Sequence, residues 1–367
     1  MKPHGHRVRR LVGAFGVLAL LVSACSDRSD GTADFFGGAS YNPFVGIQQS
    51  LVSQTNLPLF VAQVRGDVSA DELYWQLVTL DAFDGTQWHI GREAEIVRPD
   101  ESESFEPDTN AFLGPTTRVT QDITVLALQS GWLPATNFPV ALSSPDQAVN
   151  RGLRVKTDDG ALRFNGLTYR EMTYTVQSFV PRRDFGDDFA AESEIEVGEL
   201  EDAKRFLDLP IGFDPAIRAL AAVVAQGLES DFEKALALEA FFRAPTILVY
   251  STAVSPGHSA RGIAAWLLDP TSDNYRIGYC EQFATAMAVM ARTLGIPSRV
   301  VLGFRPGTLL EDGRVVVRDR DSHAWVELWM PSQGWVRFDP TPRPATFGDL
   351  PVDINDVNPL EAATEGH

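Results

Sequence analysis

Hydrophobic positions change their period partway along this chain. Over residues 41–183 they alternate, or cluster in short runs bounded by turn residues. Leu73-Tyr74-Trp75-Gln76-Leu77-Val78-Thr79-Leu80 is rich in strand formers and is followed by Asp84-Gly85, a hairpin turn signal. Residues 123–128, 153–155 and 171–176 read the same way, and Asp158-Asp159-Gly160 marks another turn. Short strands at this spacing, without a long helical period, predict a β-sandwich-like domain over 41–183.

An acidic stretch, residues 184–198, reads as a linker. Helical spacing follows. Asp214 can cap a helix that has Pro215 at its first position and Gly227 beyond its end. Ser230 and Glu233 have the capping-box spacing for a helix through Phe241, and residues 263–268 suggest a shorter one. Phe283, Met287, Met290 and Leu294 recur on one helical face, which Gly295 and Pro297 bring to an end. Strands return at 314–318, 324–330 and 335–338. The pattern therefore predicts a second, α+β domain over 199–345, and a polar, disordered tail over 346–367.

Residues 1–25 read as an export signal rather than as part of the fold. Lys2, Arg7, Arg9 and Arg10 precede an apolar run, and Ser23-Ala24-Cys25 supplies small residues before a cysteine. Val22-Ser23-Ala24-Cys25 is similar to a bacterial lipobox, in which Cys25 is lipidated; a plain secretory peptide or a single uncleaved anchor are the alternatives. Residues 26–40 would be a tether. The expected location is extracytoplasmic, tethered to the membrane by lipid or a single N-terminal anchor, or secreted. A formal net charge of -18 excludes nucleic acid as a partner, because phosphate backbones repel such a surface.

The chain has only two cysteines, Cys25 and Cys280. With Cys25 lipidated or removed, Cys280 is one unpaired thiol in an oxidising compartment, which flags reactivity. Cys280 falls in the first turn of its helix, where the partial positive charge favours thiolate and the amides can receive an oxyanion. Glu281 opposes that effect, so a base is needed. His323 opens an alternating strand in which Trp325, Glu327 and Trp329 share its face. The chain turns at Pro331-Ser332-Gln333-Gly334 and returns through Trp335-Val336-Arg337-Phe338-Asp339. Asp339 could orient the imidazole toward the thiol. Parity tests this. Both residue numbers are odd, so the two share a face only if paired numbers sum to an even value. A symmetric two- or four-residue loop puts them on opposite faces, whereas a three- or five-residue loop, or a bulge, puts them together. The spacing allows the triad without demanding it.

Three blocks carry a resemblance. Gly278-Tyr279-Cys280-Glu281-Gln282-Phe283-Ala284 with Arg292 to Val301, Ser322-His323-Ala324-Trp325-Val326-Glu327, and Gly334-Trp335-Val336-Arg337-Phe338-Asp339-Pro340-Thr341-Pro342 resemble, in this order, the motifs of the bacterial transglutaminase-like superfamily. The segment Leu73 to Trp88 is similar to the extracytoplasmic part of that superfamily's multi-pass membrane members. The resemblance implies a papain-like core, with the Cys helix packed on an antiparallel sheet carrying His and Asp, and Cys280, His323 and Asp339 as catalytic residues. It also implies attack on a carboxamide or peptide carbonyl of a protein or peptide substrate, through a thioester. Transfer to an amine, hydrolysis as a cysteine protease or amidase, and a non-catalytic envelope-binding module are the readings that stay open. The β-rich domain would dock a cell-envelope protein.

Other residues are read more plainly. Trp325 and Trp335 are expected in the hairpin core rather than as cleft walls. Trp266 or Tyr275 could add an oxyanion donor, Arg276 could anchor the loop before Cys280, and Asp321 is a turn residue. His89 is a lone histidine of the β region. No metal-ligand spacing, EF-hand loop or phosphate-binding loop occurs, so no metal or cofactor is expected.

Overall fold

Alternation at 73–80 becomes the strand Trp75–Leu80, and its placement organises the molecule. The structure is a computed structural model that describes residues 56–91, 96–98, 105, 114–181, 203–244, 246–254, 260–331 and 333–342. All of them lie within one compact unit, Ser40–His367.

The β-rich region has two layers. One is a six-stranded sheet in the order Thr308–Leu309, Arg314–Arg318, Pro58–Arg65, Thr116–Val125, Thr173–Pro181, Pro139–Ser143, and each neighbouring pair is antiparallel. The other has four strands, in the order Ile96–Val97, Leu153–Lys156, Leu162–Phe164, Trp132–Leu133. Phe60, Ile123, Val125 and Val176 of the first layer share one buried cluster with Leu153, Val155 and Leu162 of the second. That is the sandwich-like packing expected from period-2 strands with one apolar face each. The run expected at 123–128 is found earlier, as Thr116–Val125. Its outer face carries Thr, Arg and Asp, which hid the strand. The run stops at Val125, beyond which the amides of Leu126, Ala127 and Leu128 all turn to the Leu59 carbonyl.

The core of the second half is a four-stranded antiparallel sheet ordered Gly334–Phe338, Ser322–Met330, Ser298–Phe304, Trp75–Leu80. Even-numbered residues of Ser322–Met330 (Ala324, Val326, Leu328 and Met330) pack in one cluster with the helices Pro215–Val224, Asp231–Arg243 and Cys280–Thr293. These helices form where their caps said they would. The Asp214 carboxylate accepts the Ala216 amide at 2.9 Å, and Ser230 and Glu233 close a capping box. Gly227 and Gly295 lie beyond helix ends at φ 79° and 84°.

The two halves exchange strands. Trp75–Leu80 completes the sheet of the second half, while Thr308–Leu309 and Arg314–Arg318 extend the six-stranded sheet of the first. The odd face of Ser322–Met330 is consequently covered as well. Glu327 is buried between Arg299 (2.7 Å) and Asn137 of the β-rich region (2.6 Å). Residues 1–25, 26–40, 184–198 and 346–367, with the expectations that rest on them, lie outside the described residues. Among the described residues no helix is long and apolar enough to cross a membrane.

Candidate active site

Cys280 is the first residue of the helix Cys280–Thr293. Gln282 reaches back so that its Oε1 accepts the Tyr279 amide at 3.0 Å, which fixes the chain where the helix begins. Phe283, Met287 and Met290 are core. The thiol itself is 0 % exposed, and it meets the sheet at Ala324, whose main-chain amide hydrogen-bonds it one residue along from His323. The site therefore forms at the end of the sheet, where the helix tip reaches the strand start.

Burial pushes the Cys280 thiol up, and the carboxylates of Glu281 and Asp339 push the same way; the Ala324 amide and Arg305 oppose them without winning. Burial thus outweighs the helix end at Cys280. Glu281 is itself buried, and its Oε2 accepts the Tyr279 hydroxyl at 3.0 Å.

His323 and Asp339 are brought together by the hairpin. Met330 pairs with Gly334 and Trp329 with Trp335, so the connection is the three residues 331–333 and the paired numbers sum to an even value. Gly334, at φ 75°, adopts the left-handed conformation that closes a three-residue hairpin loop. His323 Nε2 lies 3.0 Å from Asp339 Oδ2, both residues buried. Burial would raise the Asp339 carboxyl, but pairing with His323 and hydrogen bonds from Tyr74 and the Thr341 amide hold it well below the usual carboxylate range. Because Asp339 is ionised and can only accept, Nε2 is the donor of this hydrogen bond.

Two further side chains complete Asp339, and neither was singled out from the sequence. Tyr74 donates its hydroxyl to Oδ2 at 2.7 Å, and Glu239 Oε1 accepts the Asp339 amide at 2.7 Å. Tyr74 stood inside a strand-like run with no mark of chemistry. Glu239 sits among the buried positions of its helix, between Leu238 and Phe241, where a carboxylate breaks the apolar pattern. That break was the available signal.

Other expected roles resolve as structure. The Trp266 indole N–H is taken by the Ile277 carbonyl at 3.0 Å, so it is not an oxyanion donor. Tyr275 lies under the Arg276 guanidinium, 4.5 Å from its ring centroid. The loop before Cys280 is held at Arg276 by its main chain, whose amide donates to the Trp266 carbonyl and whose carbonyl accepts from Val249, while its Nε donates to the Leu267 carbonyl at 3.4 Å. Asp321 closes a short 3-10 turn by accepting the Arg318 amide. Trp325 and Trp335 are buried in the hairpin core. His89 is exposed in a two-residue strand, and Cys25, His258 and His367 lie outside the described residues.

Comparison with known proteins agrees with this geometry. Residues 218–340 match the Transglutaminase-like superfamily, and residues 17–185 match the TgpA N-terminal domain. The chain is 30% identical over 273 residues to a protein-glutamine gamma-glutamyltransferase of Pseudomonas aeruginosa, covering 74% of this chain and 36% of that one. It is 31% identical over 143 residues to the uncharacterized protein YebA of Bacillus subtilis, covering 37% and 19%. The crystal structure of the periplasmic domain of TgpA from Pseudomonas aeruginosa is similar at a TM-score of 0.57 and 26% identity, covering 80% of this chain and 90% of that one. The chain thus spans about a third or less of the length of these curated relatives.

Proposed function

Since this chain carries a transglutaminase-like core behind a TgpA N-terminal domain and is homologous to the periplasmic domain of TgpA, we propose that it is a thiol-dependent acyltransferase acting on protein or peptide carboxamides. The observation that carries this reading is the His323–Asp339 pair beside Cys280: Nε2 is committed to an ionised Asp339, which leaves Nδ1 as the base. Fold alone would not carry it.

In this reading Nδ1 takes the Cys280 proton as Sγ attacks the carboxamide carbon. The sulfur–carbon bond forms, and the oxyanion faces the positive end of the helix dipole. Collapse breaks the carbon–nitrogen bond, and the imidazolium proton leaves with ammonia. A primary amine then attacks the thioester and passes its proton to Nδ1; the carbon–sulfur bond breaks and Sγ takes that proton from the imidazolium, giving an amide cross-link and restoring the thiol. Asp339 remains ionised throughout and stabilises the imidazolium.

Export belongs to the same proposal. The signal-like residues 1–25, with lipidation at Cys25 or a single anchor, would place the site outside the cytoplasm, where an envelope protein is the natural substrate. The test offers glutamine peptides with and without a labelled primary amine, and follows label incorporation and ammonia release. Both signals should appear in the wild type and vanish in Cys280→Ser. Ammonia release without incorporation assigns hydrolysis instead, and neither signal from any peptide removes the proposal.

A further inference from the structure

Asp339 Oδ2 receives two donors. One is His323 Nε2 at 3.0 Å; the other is the hydroxyl of Tyr74 at 2.7 Å, from a residue 265 positions earlier in the chain. Resting on the acyl-transfer reading above, we propose that Tyr74 is a positioning residue for the His323–Asp339 pair, so that the N-terminal region supplies part of the working site.

A buried phenol needs some partner, so the bond alone could be mere satisfaction of a polar group. Its surroundings argue for more. The Tyr74 ring is fixed on several sides: the Arg337 guanidinium lies 3.9 Å from its centroid, Trp325 meets it edge-on at 5.2 Å, and the His323 ring is 6.0 Å away. The backbone is held as tightly. Trp75–Leu80 pairs with Ser298–Phe304 through an irregularity between Leu302 and Gly303, and Gly303 is the residue paired with His323. A Cβ at Gly303 would collide with the Trp75 carbonyl. That position needs glycine so that the strand just after Tyr74 can approach Ser298–Phe304, the strand that lies between it and the histidine strand. Meanwhile Oδ1 takes the Thr341 amide at 3.2 Å and the Asp339 amide goes to Glu239. The carboxylate is thereby locked in rotation, with Tyr74 and His323 sharing one oxygen. Removing the hydroxyl unlocks that oxygen and leaves more of its charge to the imidazole, which favours the protonated ring.

The test compares Tyr74→Phe, Asp339→Asn and the double variant with the wild type in full-length protein. It reads iodoacetamide labelling of Cys280 across pH beside glutamine-peptide turnover. Tyr74→Phe keeps the ring and should stay folded. It should lower the labelling rate near neutrality by about tenfold, the scale of one hydrogen bond to a charged group, and move the acid limb to higher pH. In the Asp339→Asn background the same change should cost little, because its target is gone. A wild-type rate and profile in Tyr74→Phe overturns the proposal, as does a loss that adds in full to that of Asp339→Asn or comes without movement of the acid limb. If labelling responds as expected while no peptide is turned over, the acyl-transfer reading fails and Tyr74 stands. A peptide turned over equally by wild type and Tyr74→Phe removes Tyr74 alone, and a thiol inert at every pH in the wild type removes both.

Discussion

Met330 pairs with Gly334 across the hairpin, and that pairing places His323 and Asp339 on the same face. Side chains alternate along a strand, so a shift of one residue in this register would send the aspartate to the opposite face. Inserting one glycine into 331–333 should therefore cost at least about 100-fold in turnover, the lower end of what a positioned base contributes. Circular dichroism should show the fold retained. Turnover near the wild-type level in a folded insertion variant would show that the register is immaterial.

This parity was legible beforehand only as a condition. Two odd residue numbers meant that the triad required an odd-length loop or a bulge, which the spacing allowed without demanding, and Gly334 at φ 75° is the device that supplies it. The caps at Asp214 and Ser230, and the helix start at Cys280, were equally plain, because each depends on neighbours in sequence. Tyr74 and Arg299 were not. Tyr74 meets Asp339 from just before a strand that crosses into the other half's sheet, and Arg299 meets Glu327 on the neighbouring strand beside Asn137 of the β-rich region; no local pattern records either meeting. The opposition of Glu281 to the helix end was also legible, but the full burial that pushes the thiol up further was not, because it is made by elements distant in sequence.

Glu239 should act through its carbonyl-like oxygen rather than its charge. Glu239→Gln keeps an acceptor for the Asp339 amide and should retain activity within about twofold. Glu239→Leu leaves that buried amide unmatched and should cost about 1–3 kcal/mol of stability. Urea unfolding and turnover of both variants check this, and equal losses in the two would contradict it.

The Arg299–Glu327 pair predicts a stability effect at a distance from the chemistry. Both side chains are buried, with Asn137 donating to the same carboxylate. Arg299→Met should destabilise by about 3–5 kcal/mol, since it leaves a buried charge without its partner. Adding Glu327→Met should recover much of that loss. A single variant that costs under about 1 kcal/mol in urea unfolding would show the pair to be dispensable.

Asp339 also sets a pH dependence. Its folded pKa is depressed, so it contributes stability that is fully present above its unfolded value of about 4 and is lost as pH falls below that value. Thermal unfolding from pH 6 to pH 3 should show a steeper acid decline in the wild type than in Asp339→Asn. Parallel curves would mean that the carboxylate is not held ionised by the fold.

The claim beneath all of this is that His323 is the base for Cys280, and the pH dependence of thiol labelling tests it most directly. Iodoacetamide modification of Cys280, followed by intact-protein mass across pH 4–10, is compared in the wild type and in His323→Ala. Labelling in the wild type should be substantial at neutral pH, because His323 takes the thiol proton. In His323→Ala the thiol should react only in strong alkali, because burial raises it and nothing remains to take its proton. Superimposable profiles in the two proteins would contradict the account.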